Sequence, residues 1–462
     1  LNRPESSAYR RRTSTHPIPL GYWSGTVTVS GMPLAVRLLI ESSGDGIAIT
    51  ADFPQQGRGG FVFTEAQYLQ GLLSFNSRSL GRYRGQLSVD GSRIDGEFLF
   101  QDQRRPMRLE AGDVAPTPPL RPQTPQPPFD YAIEAIRVAN RRAGIQLAGT
   151  LTMPRAGTLR ATALLINGSG ALDRDETVFG HKPFWVLADH LSRCGYAVLR
   201  LDDRGVGESG GERSAITLAD EAQDMAAAFD FLLARQKLRS APVGLIGHSM
   251  GGAIGQWLAA EREETAFLIS MAGPGLPMGE VLALREGEAL RRSGATTDVV
   301  ERHIAFARAL FRELADMPAD AAIDAERIVA IAHAHGADAT AQANAGDWLA
   351  RYNQVWFRSA LRFDPARTLA RISAPVLALN GERDVQVPAR TNLEAIGRTL
   401  AATQHRDCTL RELPGLNHLF QSCISGEAYE YPIIEETFSP LALATISDWL
   451  DRRFAPIDDA AA

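Results

Sequence analysis

Cysteine is scarce. The 462 residues hold three, Cys194, Cys408 and Cys423, so at least one thiol is unpaired; Cys408 and Cys423 are the two that an oxidising compartment could join. Apolar runs long enough to cross a membrane are also missing. The longest apolar region, residues 266–284, is broken by Gly273, Pro274, Gly275 and Pro277 and carries Glu280, which excludes a transmembrane helix. Basic residues are dispersed apart from Arg10-Arg11-Arg12, and the net charge is −6, so nothing resembles a phosphate-tracking surface and no nucleic-acid partner is expected. Nine scattered histidines show no metal-ligand spacing. The nearest pair, His333 and His335, is offset by two and falls on different faces of a helix; no metal site and no cofactor are expected. The chain opens on Leu1 rather than Met and reads as processed or trimmed. With the Cys408–Cys423 option, this sets the expected location as periplasmic or secreted, with cytoplasmic as the alternative.

What is present is the composition of a globular chain, 45% hydrophobic and 22% charged, which excludes wholesale disorder, at a length that calls for two domains or more. Residues 1–20 read as a flexible arm. Residues 21–113 show short alternating runs closed by glycine, such as Gly25–Val29, Leu34–Ile40, Gly46–Thr50, Gly85–Val89 and Gly96–Phe100. That period of two predicts a small all-β sandwich or barrel. Residues 114–130 are proline-rich and can join neither a helix nor a central strand, so a semi-rigid spacer is expected there.

From residue 131 to about residue 455 the pattern becomes α/β. Apolar runs at Ile133–Val138, Ile145–Thr152, Ala163–Ile166, Ala197–Leu201, Val243–Ile246, Phe267–Met271 and Val376–Leu379 alternate with amphipathic stretches such as Pro183–Arg193 and Leu218–Leu233. This rhythm predicts a mostly parallel sheet with helices on both faces. It stops at about residues 276–362, where helical spacing prevails and a helical lid insertion is expected. Trp348, Trp356 and Phe357 lie in that insertion, either as its core or as lining of a substrate pocket.

The sharpest local signal is Gly247-His-Ser-Met-Gly251, with an apolar strand before it and a helix after it. A turn this tight admits only glycine at the flanking positions and lifts Ser249 above the strand end, where the helix N-terminus faces a reacting carbonyl. Ser249 is therefore the candidate nucleophile. His248 points the other way out of such a turn and reads as packing. The order serine, acid, histidine leads to Asp384, in the loop after Pro375–Leu379, and to His418 in Leu416-Asn-His-Leu-Phe; Glu382 is the rival acid. Asp384 would orient His418, and His418 would take and return the Ser249 proton. The oxyanion would be held by the N–H of Met250 and by that of Ser169, or alternatively Gly170, in the glycine-rich turn Asn167–Gly170. One such donor contributes roughly 2.7–4 kcal/mol to the transition state.

With these parts in order, the chain resembles an α/β-hydrolase over about residues 131–455, and more narrowly a bacterial group of EstD-like, serine-aminopeptidase-like esterases. The resemblance is carried by Asn167–Glu176, Gly180-His-Lys-Pro-Phe184, Leu201–Ser209, Gly247–Gly252, Leu379–Pro388, Leu416–Gln421 and Glu430–Thr437. It implies the triad Ser249, Asp384 and His418, carboxylesterase activity on short to medium acyl chains, and an all-β domain ahead of the catalytic one. One departure concerns specificity: relatives often carry Glu after the nucleophile, where this chain has Met250. In Asp173-Arg-Asp-Glu176 and Asp202-Asp-Arg204 an ion-pair network stiffening the loops is expected rather than direct chemistry.

The expected partner is a small-molecule ester, and homo-oligomerisation is left open. The same triad serves amide, thioester or lactone hydrolysis and acyl transfer. A receptor built on the fold is the reading of another class, against which the intact serine, acid, base and oxyanion turn argue.

Overall fold

The computed structural model describes residues 17–454 apart from 30–31, 45, 54–57, 64, 78–80, 101–102, 114–119, 156–158, 239–240, 319–320 and 338–347. The expected arm at residues 1–20 lies outside the described residues except for its last four. The chain forms two compact units that meet in sequence at Leu120 and Arg121.

The first unit is an antiparallel sheet of β1 (Gly21–Val29), β2 (Met32–Ser43), β3 (Gly46–Phe53), β4 (Arg58–Phe63), β5 (Glu65–Leu69), β6 (Leu72–Ser77), β7 (Gly81–Leu87), β8 (Arg93–Phe100) and β9 (Gln103–Ala111), in the order β4-β3-β2-β1-β9-β8-β7-β6-β5. β3 packs against β5 and β4 against β6, so the sheet curls back over its own apolar face. Every second residue of β3 and β7 is buried, and Trp23, Leu38, Ile49, Phe75, Tyr83, Ile94 and Leu109 form the core. Tyr83 lies flat across β7 and β8: a Cβ on Gly85 or Gly96 would stand 2.3 or 2.7 Å from its hydroxyl oxygen.

The second unit begins with the tail of the proline-rich segment, expected as spacer but held on the body. Arg121 donates to the carbonyls of Phe179, Pro432 and Ile434 at 2.9, 2.7 and 2.8 Å, and Gln123 bonds the backbone of Thr437 and Phe438. Its sheet comprises β10 (Tyr131–Asn140), β11 (Ile145–Pro154), β12 (Thr162–Ile166), β13 (Ala197–Leu201), β14 (Val243–His248), β15 (Leu268–Met271), β16 (Val376–Gly381) and β17 (Cys408–Leu413), in the order β10-β11-β13-β12-β14-β15-β16-β17. β10 and β11 are antiparallel; from β13 to β17 all pairs are parallel. β12 to β16 are buried along their whole lengths, which is why they read as unbroken apolar runs.

Helix α1 (Pro183–Arg193) and the C-terminal helix Pro440–Asp451 cover one face through Phe184, Leu187, Ile446 and Trp449. Helices α2 (Leu218–Ala234) and α3 (Met250–Glu261) cover the other. Between β15 and β16 the chain leaves the sheet for a helical insertion with α4 (Met278–Arg292), α5 (Thr297–Asp316), α6 (Ala325–Ala334) and α7 (Val355–Leu361). The insertion has its own core, including Leu282, Val300, Phe306, Leu310, Phe311, Tyr352 and Phe357.

The three cysteines are free thiols, against the disulfide considered for Cys408 and Cys423. Cys408 starts β17, whereas Cys423 bonds Gly415, just past its end; a six-residue strand of roughly 3.3 Å per residue keeps them apart. Burial pushes the Cys408 and Cys423 thiols up to about 11.

Candidate active site

Parallel strands bring their carboxyl ends to one edge, and four of those ends carry the candidate residues. Ser249 follows β14, the turn Asn167–Gly170 follows β12, Asp384 follows β16 and His418 follows β17. Ser249 sits at φ 54°, ψ −120°, a conformation that costs a side-chain-bearing residue about 1–3 kcal/mol and persists only where its surroundings enforce it. They do. Its N–H donates to the Met271 carbonyl at 2.8 Å. A Cβ on Gly247 would stand 2.0 Å from the Gly251 carbonyl oxygen, and one on Gly251 2.1 Å from that of Ile166, so both glycines are sterically required.

His418 and Asp384 are joined directly: Nδ1 lies 2.7 Å from Asp384 Oδ2, and both residues are buried. The other carboxylate oxygen accepts the N–H of Gln386 and Val387 at 2.8 and 2.9 Å, so the acid is immobilised and its acceptors are used. The rival Glu382 is spent on the N–H of Gly415 at 2.8 Å. Ser249 Oγ makes no hydrogen bond among the described residues; of the candidate relay, the His418–Asp384 half is formed and the Ser249–His418 contact is not. Catalytic contacts of this kind often tighten only with substrate in place.

Met250 opens α3, so its N–H has no intrahelical acceptor. The N–H of Gly168 is taken by Glu176 Oε1 at 2.8 Å. Those of Ser169 and Gly170 donate to no protein acceptor among the described residues, which leaves all three oxyanion candidates available. The turn is anchored by Asn167, whose amide donates to Asp203 at 2.9 Å. Burial pushes the Asp203 carboxyl up to about 7, against the donors Leu172 N–H, Asn167 and Arg213.

The segment after this turn splits in role. Arg174 holds Asp202 through two bonds of 2.9 and 2.6 Å, Asp175 pairs with Arg200 and Lys182, and Asp173 caps Thr177. These form the expected stiffening network. Glu176 does not join it. Its carboxylate reaches His248 Nδ1 at 2.9 Å, and His248 Nε2 lies 2.9 Å from the His418 carbonyl oxygen. Burial disfavours the charged His248 ring, but the Glu176 charge and the hydrogen bonds prevail and its pKa is raised. Glu176 and His248 thus tie the candidate oxyanion turn to the loop of His418, a connection that the local sequence pattern did not disclose.

The aromatic candidates separate as well. Trp348 stacks on Phe306 at 6.0 Å and meets Tyr352 in a tilted contact at 5.9 Å, inside the insertion. Trp356 and Phe357 line a cavity of about 570 Å³ together with Ser169, Gly170 and Met278. Among the described residues no cluster of three or more metal-ligating side chains occurs, and none of their helices is long and apolar enough to cross a membrane.

Comparison with known proteins gives three findings. A family model for serine aminopeptidases (S33) matches residues 184–297. The chain is 26% identical over 287 residues to esterase EstD of Thermotoga maritima, across 62% of this chain and 60% of that protein; it thus spans about 60% of the length of this curated relative. Among solved structures, an esterase of Pyrococcus furiosus matches with a TM-score of 0.42 at 15% identity, over 70% of this chain and 91% of that one. Est1E of Butyrivibrio proteoclasticus, solved with ferulic acid bound, matches at 0.41 and 17%, over 69% and 97%.

Proposed function

We propose that this chain is an α/β-hydrolase related to the EstD-like serine esterases, and that it hydrolyses carboxylic esters of short to medium acyl chains through Ser249, His418 and Asp384. The observation that carries the proposal is the 2.7 Å contact between His418 Nδ1 and Asp384 Oδ2, made at the same sheet edge as a serine held at positive φ. With Nδ1–H donated to the carboxylate, Nε2 is the basic nitrogen.

The steps follow from that tautomer. Nε2 of His418 takes the hydroxyl proton while Ser249 Oγ attacks the ester carbon, and the C=O electron pair moves to oxygen. The oxyanion is received by Met250 N–H and by Ser169 or Gly170 N–H. When it collapses, the C–O bond to the alcohol breaks and the imidazolium protonates the leaving alkoxide. A water molecule, deprotonated by His418, repeats the sequence on the acyl-enzyme and releases the acid. Neither metal nor organic cofactor is required by these steps. The helical insertion beside the cavity is proposed as the lid that shapes the acyl or alcohol subsite, with Trp356 and Phe357 as its apolar wall.

A series of 4-nitrophenyl esters from acetate to octanoate tests this reading. Turnover with a pre-steady-state burst, covalent labelling of Ser249 by a fluorophosphonate, and loss of both in Ser249→Ala are expected. Turnover that survives Ser249→Ala would exclude it.

A further inference from the structure

The wall of the cavity beside the oxyanion turn carries two guanidinium groups, Arg213 and Arg351, and among the described residues no carboxylate. Arg213 is already matched: it reaches Glu221 at 3.0 Å and Asp203 at 3.5 Å, and it donates to the Gly170 carbonyl. Arg351 is not. It is exposed at the cavity, it pairs with no acid among the described residues, and its guanidinium lies only against the Phe357 ring, 4.8 Å from the centroid.

A third guanidinium, Arg285 on α4, bonds no acceptor among the described residues and is within electrostatic reach of Arg351, Glu286, Tyr352 and Asp384. The carboxylates near it are committed elsewhere. Glu286 bonds His303 at 3.1 Å, and both oxygens of Asp384 are used by His418, Gln386 and Val387. Burial, and after it the Arg351 charge, lower the Arg285 pKa, opposed by Glu286, Tyr352 and Asp384. A guanidinium offers a fork of donors that a carboxylate matches with two parallel bonds. In the cavity wall, among the described residues, the chain supplies the Arg351 fork and no carboxylate to fill it.

We propose that the ester taken by this site carries a second, ionised carboxylate, and that Arg351 binds it beside the oxyanion turn. This rests on the hydrolytic reading and names the substrate class of the same site. The carboxylate can belong to the acyl or to the alcohol half of the ester, and matched substrates separate the two.

The experiment compares 4-nitrophenyl hydrogen adipate with 4-nitrophenyl hexanoate, for charge on the acyl half, and 4-acetoxybenzoate with 4-methylphenyl acetate, for charge on the leaving group. In one pair the anionic ester should have the higher kcat/KM by about tenfold or more, as expected for a charge-assisted hydrogen bond. That ratio should shrink with added salt, collapse in Arg351→Gln, and be kept in part by Arg351→Lys. Ratios of one or below in both pairs, with Ser249-dependent turnover, overturn this proposal and leave the esterase reading standing. If none of these esters is turned over, the esterase reading fails and binding decides the anion site. Monomethyl adipate should then raise the Tm of the Ser249→Ala protein more than dimethyl adipate does, and less so after Arg351→Gln. Equal shifts from both compounds, or none, overturn it.

Discussion

Glu176 and His248 form a buried pair, 2.9 Å between carboxylate and Nδ1, in which the acid also holds the Gly168 N–H and the imidazole also meets the His418 carbonyl oxygen. One carboxylate thus sets the position of two loops that must agree within fractions of an ångström if oxyanion and base are to act on the same carbonyl. Glu176→Gln keeps the shape and removes the charge that raises the His248 pKa against the effect of burial. The expected result is a kcat lower by about tenfold or more, KM little changed, and a stability loss of about 1–3 kcal/mol. Initial rates and urea melts check this. A variant with normal kcat and normal melting would show that the pair is only a packing contact.

The acid and base of the relay make a stronger claim. Asp384→Asn preserves the two backbone bonds to Gln386 and Val387 through its amide oxygen but turns an acceptor of His418 Nδ1–H into a donor, which favours the other tautomer. A loss of about three to four orders of magnitude in kcat is expected. Because the relay acts as a unit, adding His418→Ala to it should cost little more. Fully additive losses in the double variant would refute the linkage of these residues.

Much of this fold was legible because local pattern and burial coincide. Pro183–Arg193 is read to the residue, since a proline opens α1 and one face is apolar. The strands buried on both faces have no choice but to be apolar throughout. β5 was not visible in the same way: none of its residues is fully buried, the pattern running exposed and intermediate in turn, so it carries little alternation to read. Of the site, Ser249 and its glycines announce themselves through steric need. Glu176 does not, because its partner lies 72 residues away and its neighbours Arg174 and Asp175 really do form the ion pairs that the stretch suggests. Arg121 and Gln123 escaped for the same reason. A proline-rich segment reads as a spacer until its acceptors, some 311–315 residues downstream, are in view.

The elbow glycines give a steric prediction. Gly251→Ala puts a methyl carbon 2.1 Å from the Ile166 carbonyl oxygen and 2.5 Å from that of Asn167, backbone atoms of β12 and the oxyanion turn that cannot move aside cheaply. The substitution should destabilise by about 3 kcal/mol or more and abolish labelling of Ser249 by the fluorophosphonate. Gly415→Ala is the control: it lies at positive φ, but its Cβ position meets nothing within 4 Å, so its cost should stay near 1 kcal/mol. Equal melting temperatures for the two variants would contradict the steric account.

His181 gives the prediction for pH. It is buried between the start of α1 and the segment after the His418 loop, with Nε2 2.8 Å from the Tyr431 carbonyl oxygen and Nδ1 2.9 Å from Thr437 Oγ1. Burial lowers its pKa to about 4, opposed by the Tyr431 bond and aided by the Arg121 charge. The unfolded chain binds this proton at about 6.5, above the folded value, so the unfolded state gains it first as pH falls. The contribution to stability is complete above pH 6.5, is lost progressively between about 6.5 and 4, and reaches a deficit of about 3 kcal/mol. The difference in unfolding free energy between the wild type and His181→Gln should therefore change across that interval and stay flat above it. A His181 imidazole that titrates near pH 6.5 by NMR, or a difference that stays constant from pH 7.5 to 4.5, would remove this histidine from the acid sensitivity of the fold.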